Sequence, residues 1–128
     1  MNDSDFGKLI FRTTIAVLLF FHGYAKVNHG LGFIEDALQA NNLPEFLSYF
    51  VFLGELLAPL LLIIGYKTRF AASLIIVTML VAIFLVFPND LTTLTREGTL
   101  KLELNYFFIF TSFSLIFLGA GKYSLDRR

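Results

Sequence analysis

One carboxylate interrupts a long apolar stretch of this chain, the segment VFLGELLAPLLLIIGYKTRFAA at residues 51–72. Glu55 lies within the stretch, and Pro59 follows four residues later, where its missing N–H leaves the Glu55 carbonyl oxygen without a helical partner. Two acceptors therefore lie at one depth, with Gly54 and Ala58 beside them. Glu55 and Pro59 are candidates for a proton, quinone or ligand site. The structural alternative is a kinked helix in which Glu55 makes one hydrogen bond to a neighbour.

A second pair of polar residues, His22 and Lys26, ends another apolar stretch. Four residues apart, they share one face of a helix. Histidine changes charge near neutral pH, so His22 is a candidate for proton exchange or for a hydrogen bond to a quinone oxygen. The alternative is a satisfied histidine at the membrane interface. For Lys26 the favoured prediction is that its amine snorkels to the lipid headgroups.

Glu103 opens the last apolar stretch, where the helix dipole alone already favours a carboxylate. We expect it to lie at the level of His22, Lys26 and Glu55, which would bring four polar side chains together. At the other end of the stretches, Arg12, Arg69 and Asp126 predict a second polar layer with a structural role. No metal site is predicted, and because His29 falls in a loop, a bis-histidine haem is not expected.

The elements that must hold these residues are membrane helices. The chain has 128 residues, of which 56% are hydrophobic and 16% charged, and its mean hydropathy is +0.72. Lipid offers no hydrogen-bond partner to a backbone, so each apolar stretch must be a helix. The prediction is an all-α integral membrane protein, a four-helix transmembrane bundle that forms one domain over residues 1–128. Its spans are placed at about 9–25, 46–64, 70–87 and 104–120.

The first connection contains FIEDALQA at residues 33–40, where apolar residues recur at helical spacing. It predicts a short interfacial helix in the first outer loop, ended by two asparagines before Pro44. The segment GYKTR at residues 65–69 predicts a tight turn between the second and third spans.

The distribution of lysine and arginine along the chain predicts how the protein is oriented in the membrane. Most of the ten lysines and arginines fall at the N-terminus, in the second loop or at the C-terminus, which places both termini in the cytoplasm. These residues are Lys8, Arg12, Lys67, Arg69, Lys122, Arg127 and Arg128. The formal net charge is zero, and nothing in this distribution supports a nucleic-acid partner.

The chain contains no cysteine. It therefore offers no disulfide, no thiol relay and no thiolate ligands for an iron–sulfur cluster. Redox chemistry would need a bound cofactor, a quinone or a partner subunit.

In these residues the sequence resembles the DoxX-like family of small membrane proteins. The resemblance rests on HGYAK (22–26), on GELLAPLLLIIGYKTRFAA (54–72), on Glu103 and on the closing GAGKYSLD (119–126). It implies a four-helix protein of the bacterial inner membrane. Some relatives are described as small subunits of quinol oxidase or thiosulfate:quinone oxidoreductase systems.

Two functions stay open at this stage. The first is an accessory subunit of a quinone-linked membrane oxidoreductase, with a bound quinone as the candidate ligand, no covalent cofactor, and partner subunits in a redox complex. The second is a non-enzymatic scaffold or a small-solute carrier. Both place the chain in the lipid bilayer, and both are compatible with a homo-oligomer.

Overall fold

The computed structural model describes residues 3–127, and this part of the chain is helical apart from its loops and one isolated bridge between Leu94 and Leu100. The all-α class predicted from the sequence is confirmed. The α-helices in this range are α1 (Asp3–His29), α2 (Gly32–Ala40), α3 (Ala58–Ile64), α4 (Thr68–Val86) and α5 (Glu103–Leu118). A 3₁₀-helix (Glu45–Phe50) and a π-helical segment (Leu53–Leu57) lie between α2 and α3.

Three helical runs within residues 3–127 are long and apolar enough to cross a bilayer. They are α1 with 27 residues, the run Glu45–Ile64 with 20 and α4 with 19. The fourth predicted span, α5, is apolar but has 16 residues, roughly 24 Å of helix. The predicted bundle of membrane helices is confirmed, although α1 extends beyond the predicted span 9–25 at both ends.

The helices alternate in direction, because Lys26 near the end of α1 contacts Glu55, whereas Arg12 near its start contacts Leu62 and Ala120. We call the end that holds the C-terminus of α1 and the start of α5 the upper half. The lower half holds the N-terminus of α1 and residues 119–127. Arg128, counted above among the basic residues, lies outside the described residues.

Small side chains bring the helices together in the core. Ala16, Ala58, Ala71 and Ala72 are fully buried, as expected where close backbone approach and van der Waals contact hold membrane helices together. Larger side chains fill the remaining space of this core; they are Ile15, Leu19, Leu62, Ile75, Met79, Phe108 and Leu115.

The predicted interfacial helix is present as α2. Its buried face, Ile34 and Leu38, forms a second apolar cluster together with Leu31. Leu47 of the 3₁₀-helix and Leu85 of α4 pack against this cluster. Helix α2 therefore covers the upper end of the bundle instead of standing apart from it.

The second predicted span is not one kinked α-helix. It begins as a 3₁₀-helix, passes through the π-helical segment and becomes α-helical at Ala58. It ends at Gly65, whose φ of +70° closes the tight turn before α4, a left-handed conformation that glycine adopts readily. The polar residue Glu55 lies inside the π-helical part.

Candidate intramembrane site

The centre of the upper half is an ion pair between Lys26 and Glu55. The Lys26 ammonium donates to Oε2 of Glu55, whose side chain is 2% exposed, against 22% for Lys26. The prediction that Lys26 snorkels to the headgroups was wrong. Because an isolated charge is very unfavourable in an apolar interior, the nearby carboxylate holds the amine inside the bundle.

The π-helical segment determines where the Glu55 side chain points. In it the Ala58 N–H donates to the carbonyl oxygen of Leu53, five residues back, so one turn contains an extra residue. Such single-turn π-bulges occur frequently at functional sites. Pro59 follows at once, buried in the first turn of α3, where a missing N–H is tolerated. Pro59 thus lies directly after the bulge that contains Glu55, and it does not line the cavity described below.

Two glycines allow the neighbouring helices to approach this bulge. A Cβ at Gly23 of α1 would lie 2.4 Å from the Glu55 carbonyl oxygen. A Cβ at Gly54 would lie 1.8 Å from Oγ1 of Thr78 on α4. Both distances are far below van der Waals contact, so α1 and α4 can pack at these depths only because the side chains are absent. The Glu55 carbonyl oxygen that was predicted as a second acceptor lies against the α1 backbone.

A cavity of ≈ 610 Å³ lies beside the ion pair. The residues that line it fall within 22–55, 74–87 and 104–108, so the cavity extends from the upper end of the bundle to about the middle of α4. Its walls are mostly aliphatic and aromatic side chains. The exceptions are a few polar groups: His22, Lys26, Glu55, Thr78 and Asn105.

His22 and Asn105 lie on the α1 and α5 walls of this cavity. The His22 ring packs edge-on against Phe108 at 5.7 Å between centroids, and His22 is exposed as well as lining the cavity. The Asn105 amide nitrogen makes a weak contact of 3.7 Å with Sδ of Met79. Our sequence reasoning did not select Asn105 as a site residue. The available signal was its position two residues after Glu103, near the start of an apolar helix.

Glu103 is placed differently from the other predicted site residues. It is exposed in the first turn of α5 and is absent from the residues that line the cavity. The structure therefore brings His22, Lys26 and Glu55 together around one cavity. Glu103 stays at the start of α5, where the helix dipole accounts for a carboxylate.

The lower half contains a buried arginine. Arg12 is 1% exposed and donates to carbonyl oxygens from two separate segments of the chain. Nε reaches Leu62 at 2.8 Å, Nη1 reaches Ala120 at 3.0 Å and Nη2 reaches Tyr123 at 2.6 Å. The planar guanidinium with five donors suits this arrangement. Arg12 ties the C-terminal residues to the end of α3.

Asp126 and Arg69 continue this lower polar layer. The Asp126 carboxylate accepts from the backbone N–H groups of Lys67 and Thr68 at 2.9 and 2.8 Å, and so caps the N-terminus of α4. Arg69 Nε donates to the Ile116 carbonyl oxygen at 2.8 Å. Each of these contacts joins one backbone segment to another, which is a structural role.

Within residues 3–127, no group of three or more histidine, aspartate or glutamate side chains is placed to hold a metal ion. The polar groups that line the cavity are one carboxylate, one amine, one imidazole, one carboxamide and the hydroxyl of Thr78. Such groups can donate and accept hydrogen bonds and can exchange protons.

The fold and this site define a small helical membrane protein with a buried ion pair beside a mostly apolar cavity. Residues 7–88, more than half of the chain, match the family model DoxX. The chain belongs to the DoxX family, as its resemblance predicted. The matched range contains His22, Lys26 and Glu55, while Asn105 lies outside it. No curated protein and no solved structure matches the chain at a significant level.

Proposed function

We propose that this protein is an accessory subunit of a quinone-linked membrane oxidoreductase system and that Lys26 and Glu55 form the polar end of its quinone site. The observation that carries the proposal is the ion pair beside a mostly apolar cavity of ≈ 610 Å³. That volume falls within the roughly 300–1,000 Å³ typical of pockets for small organic ligands. Intramembrane ionisable groups of this kind usually mark a ligand or proton pathway.

The polar groups present fit a quinone head. Such a head is a flat apolar ring with an oxygen at each of two opposite positions. Lys26, His22 and Asn105 can donate hydrogen bonds to these oxygens, and the Glu55 carboxylate can accept one from the reduced hydroxyl form. The aliphatic walls match the ring and its substituents.

A bound quinone supplies two-electron, two-proton chemistry, with the electrons exchanged with a redox cofactor of a partner subunit. This chain's own residues handle the protons. Lys26 holds a proton at Nζ that it can release to an adjacent oxygen atom. The buried Glu55 carboxylate would then lack its counter-charge, which favours rapid return of a proton to the pair. In this proposal His22, which is exposed and on the same face of α1 as Lys26, relays that proton from the upper surface.

The alternative functions receive less support from this geometry. A carrier that moves a solute across the membrane needs a route through both halves of the bundle. Here the cavity reaches no further down α4 than Leu74, and the lower end of the bundle is closed by the contacts of Arg12 with Leu62, Ala120 and Tyr123. A pure scaffold gives no reason for a buried carboxylate beside a cavity.

We also propose the bacterial inner membrane as the location of this protein, one four-span domain over residues 1–128, and cytoplasmic termini. The support for the orientation is the concentration of lysine and arginine at the lower end. The upper cavity would then face the outer side. A reporter fused after residue 128 should therefore be read out in the cytoplasm, and a signal from the outer side would contradict the orientation.

The test of the site uses the native protein purified gently from its own membrane. The quinone that co-purifies with the parent is extracted and quantified, and quinone-dependent electron transfer is measured with the partner chains present. Glu55→Gln keeps the shape and removes the charge, so we expect it to lower both bound quinone and electron transfer. We expect Pro59→Ala to act in the same direction, because a restored N–H favours a regular α-helix over the bulge.

The matched control is Glu97→Gln, which removes a carboxylate from an exposed loop position. It should behave like the parent at equal protein level. If Glu55→Gln retains undiminished quinone and electron transfer while folding normally, Glu55 is a structural residue and the proposed site is wrong.

A further inference from the structure

Another cavity, of ≈ 460 Å³, lies at the lower end of the bundle. It forms where the tight turn before α4 meets the C-terminal residues, so the lower polar layer borders it. We call it the lower cavity. Its lining residues with polar or exposed side chains are Lys67, Thr68, Arg69, Phe70, Leu125 and Asp126.

The lining of the lower cavity carries more positive than negative charge. Lys67 and Arg69 supply two cations and Asp126 supplies one anion. Neither cationic side chain is in an ion pair in the part of the chain that the structure describes. The Lys67 ammonium lies 5.6 Å from the centroid of the Tyr66 ring. Arg69 donates to the Ile116 carbonyl oxygen through Nε, which leaves the donors of its two Nη groups for an anion.

The first turn of α4 adds backbone donors to this lining. The first N–H groups of a helix have no acceptor within the helix. Asp126 accepts from the N–H groups of Lys67 and Thr68. The next two N–H groups, of Arg69 and Phe70, have no acceptor among the described residues, and both residues line the lower cavity. The positive end of the helix dipole favours an anion at this place.

The hydroxyl of Thr68 is a further donor that the cap from Asp126 does not satisfy. Thr68 is 1% exposed, yet its Oγ1 has no hydrogen-bond partner within residues 3–127. Thr14 and Thr78, by contrast, each donate to the carbonyl oxygen four residues earlier. Buried hydroxyl groups are nearly always hydrogen-bonded. Because Thr68 lines the lower cavity, an acceptor bound in this cavity would satisfy its hydroxyl.

These donors match the chemistry of a phosphate group. A phosphate has several acceptor oxygens and a negative charge, and helix N-termini together with arginine and lysine side chains bind it well. The side chains beside the donors indicate its source. Phe70 and Leu125 are 56% and 67% exposed, at the end of a membrane helix, where the lipid headgroups lie. A phospholipid brings a phosphate to this level and acyl chains to such apolar side chains.

We infer that the lower cavity binds the phosphate of an anionic phospholipid. The phosphate oxygens accept from the Thr68 hydroxyl and from the N–H groups of Arg69 and Phe70, and the side chains of Lys67 and Arg69 balance its charge. Asp126 keeps its own two N–H groups, and the two cations against one anion leave a positive charge for one headgroup. The bound lipid anchors the turn at residues 65–69 to the headgroup layer, independently of the quinone site.

The experiment uses the full-length protein, purified in mild detergent and freed of native lipid. Phosphatidylglycerol and phosphatidylcholine with identical acyl chains are titrated, and the lipid that stays with the protein through size-exclusion chromatography is quantified. Inorganic phosphate is added as a competitor. The test variants are Thr68→Val, which removes the hydroxyl at nearly constant volume, and Lys67→Gln, which removes a charge. The matched controls are Thr14→Val and Lys122→Gln, at exposed positions of the lower half outside the lining.

We expect the parent to bind phosphatidylglycerol at least about tenfold more tightly than phosphatidylcholine, because two basic side chains face the headgroup. Each test variant should weaken binding of phosphatidylglycerol about fivefold, the effect of losing one hydrogen bond or one basic side chain. Both control variants should bind like the parent. Millimolar inorganic phosphate should not displace the lipid, because it lacks the contacts of the acyl chains.

Equal affinity of the parent for the two lipids would overturn this inference, and so would unchanged affinity in both test variants. An equal loss in Lys67→Gln and Lys122→Gln would indicate a diffuse attraction to basic side chains instead of a site. Displacement of the lipid by millimolar phosphate would assign the site to free phosphate and overturn the assignment to a lipid. Lys67 is exposed, so the test stands on Lys67→Gln even if Thr68→Val does not fold.

Discussion

The buried ion pair predicts a strong energetic coupling between Lys26 and Glu55 that a double-mutant cycle can measure. The perturbations are Lys26→Met, Glu55→Gln and the two combined. Lys26→Met leaves a carboxylate that is 2% exposed without its counter-charge, and breaking a buried pair in this way costs about 3–5 kcal/mol. We take about 3 kcal/mol, because insertion scales give a similar cost for an acidic side chain at the centre of a membrane helix.

Glu55→Gln is expected to be less destabilising. This variant leaves the Lys26 amine without its carboxylate partner. Because the Lys26 side chain is 22% exposed and its long stem can turn the charge toward the surface, we expect a loss of about 1 kcal/mol in the free energy of unfolding. The double variant has no buried charge, so it should cost no more than about 1–2 kcal/mol. The two single losses then exceed the double loss by about 2–3 kcal/mol, which is the coupling energy.

The assay is reversible chemical unfolding of all four proteins in one mild detergent. The chain supplies a matched control in the pair Lys101–Asp90, at 3.0 Å, whose carboxylate side chain is 26% exposed against 2% for Glu55. Its own cycle should give a coupling below about 1 kcal/mol, as exposed pairs do. A coupling at Lys26–Glu55 no larger than at Lys101–Asp90 would refute the reasoning that desolvation makes this pair strong.

Two further predictions concern close packing and the lower half. Gly23→Ala should destabilise the protein by about 1–3 kcal/mol, the usual cost of overpacking, because its Cβ would meet the Glu55 carbonyl oxygen at 2.4 Å. Gly7→Ala, also on α1 but with open space around it, should be neutral or slightly stabilising, and equal effects of the two changes in an unfolding assay would count against the tight contact. Arg12→Lys should cost about 3 kcal/mol, because one ammonium cannot serve every carbonyl oxygen that the guanidinium reaches. Limited proteolysis should show faster cleavage within residues 119–127 of this variant, and cleavage at the parent rate would contradict the assignment.

Several features of this protein followed from the order of its residues alone. The apolar stretches predicted membrane helices, because a lipid environment leaves the backbone no other way to satisfy its hydrogen bonds. The spacing of Phe33, Ile34, Ala37 and Leu38 predicted α2. The motifs in residues 22–26 and 54–72 led to the family that the match over residues 7–88 establishes. All of these are local or compositional properties.

The conformation of the second span could be predicted from its own residues only in part. Gly54 and Pro59 indicated an irregular helix around Glu55, but a proline is compatible with a kink, a break or a π-helical bulge. The structure has the bulge, with Gly54 packed against Thr78 of α4. That contact joins segments distant in sequence, so no periodicity within residues 46–64 could reveal it.

The partners of the polar side chains were decided only by the tertiary structure. The sequence identified Glu55 as a buried carboxylate in need of a partner, yet it favoured headgroups for Lys26 and grouped Glu103 with the site. Folding paired Lys26 with Glu55, left Glu103 exposed and brought Asn105 to the cavity wall. The amino-acid sequence alone identifies the groups that are too polar for lipid, because the free energy of transfer from water to lipid is a property of each residue. Which of them meet depends on the rotation and depth of each helix, which are set by packing among all of them.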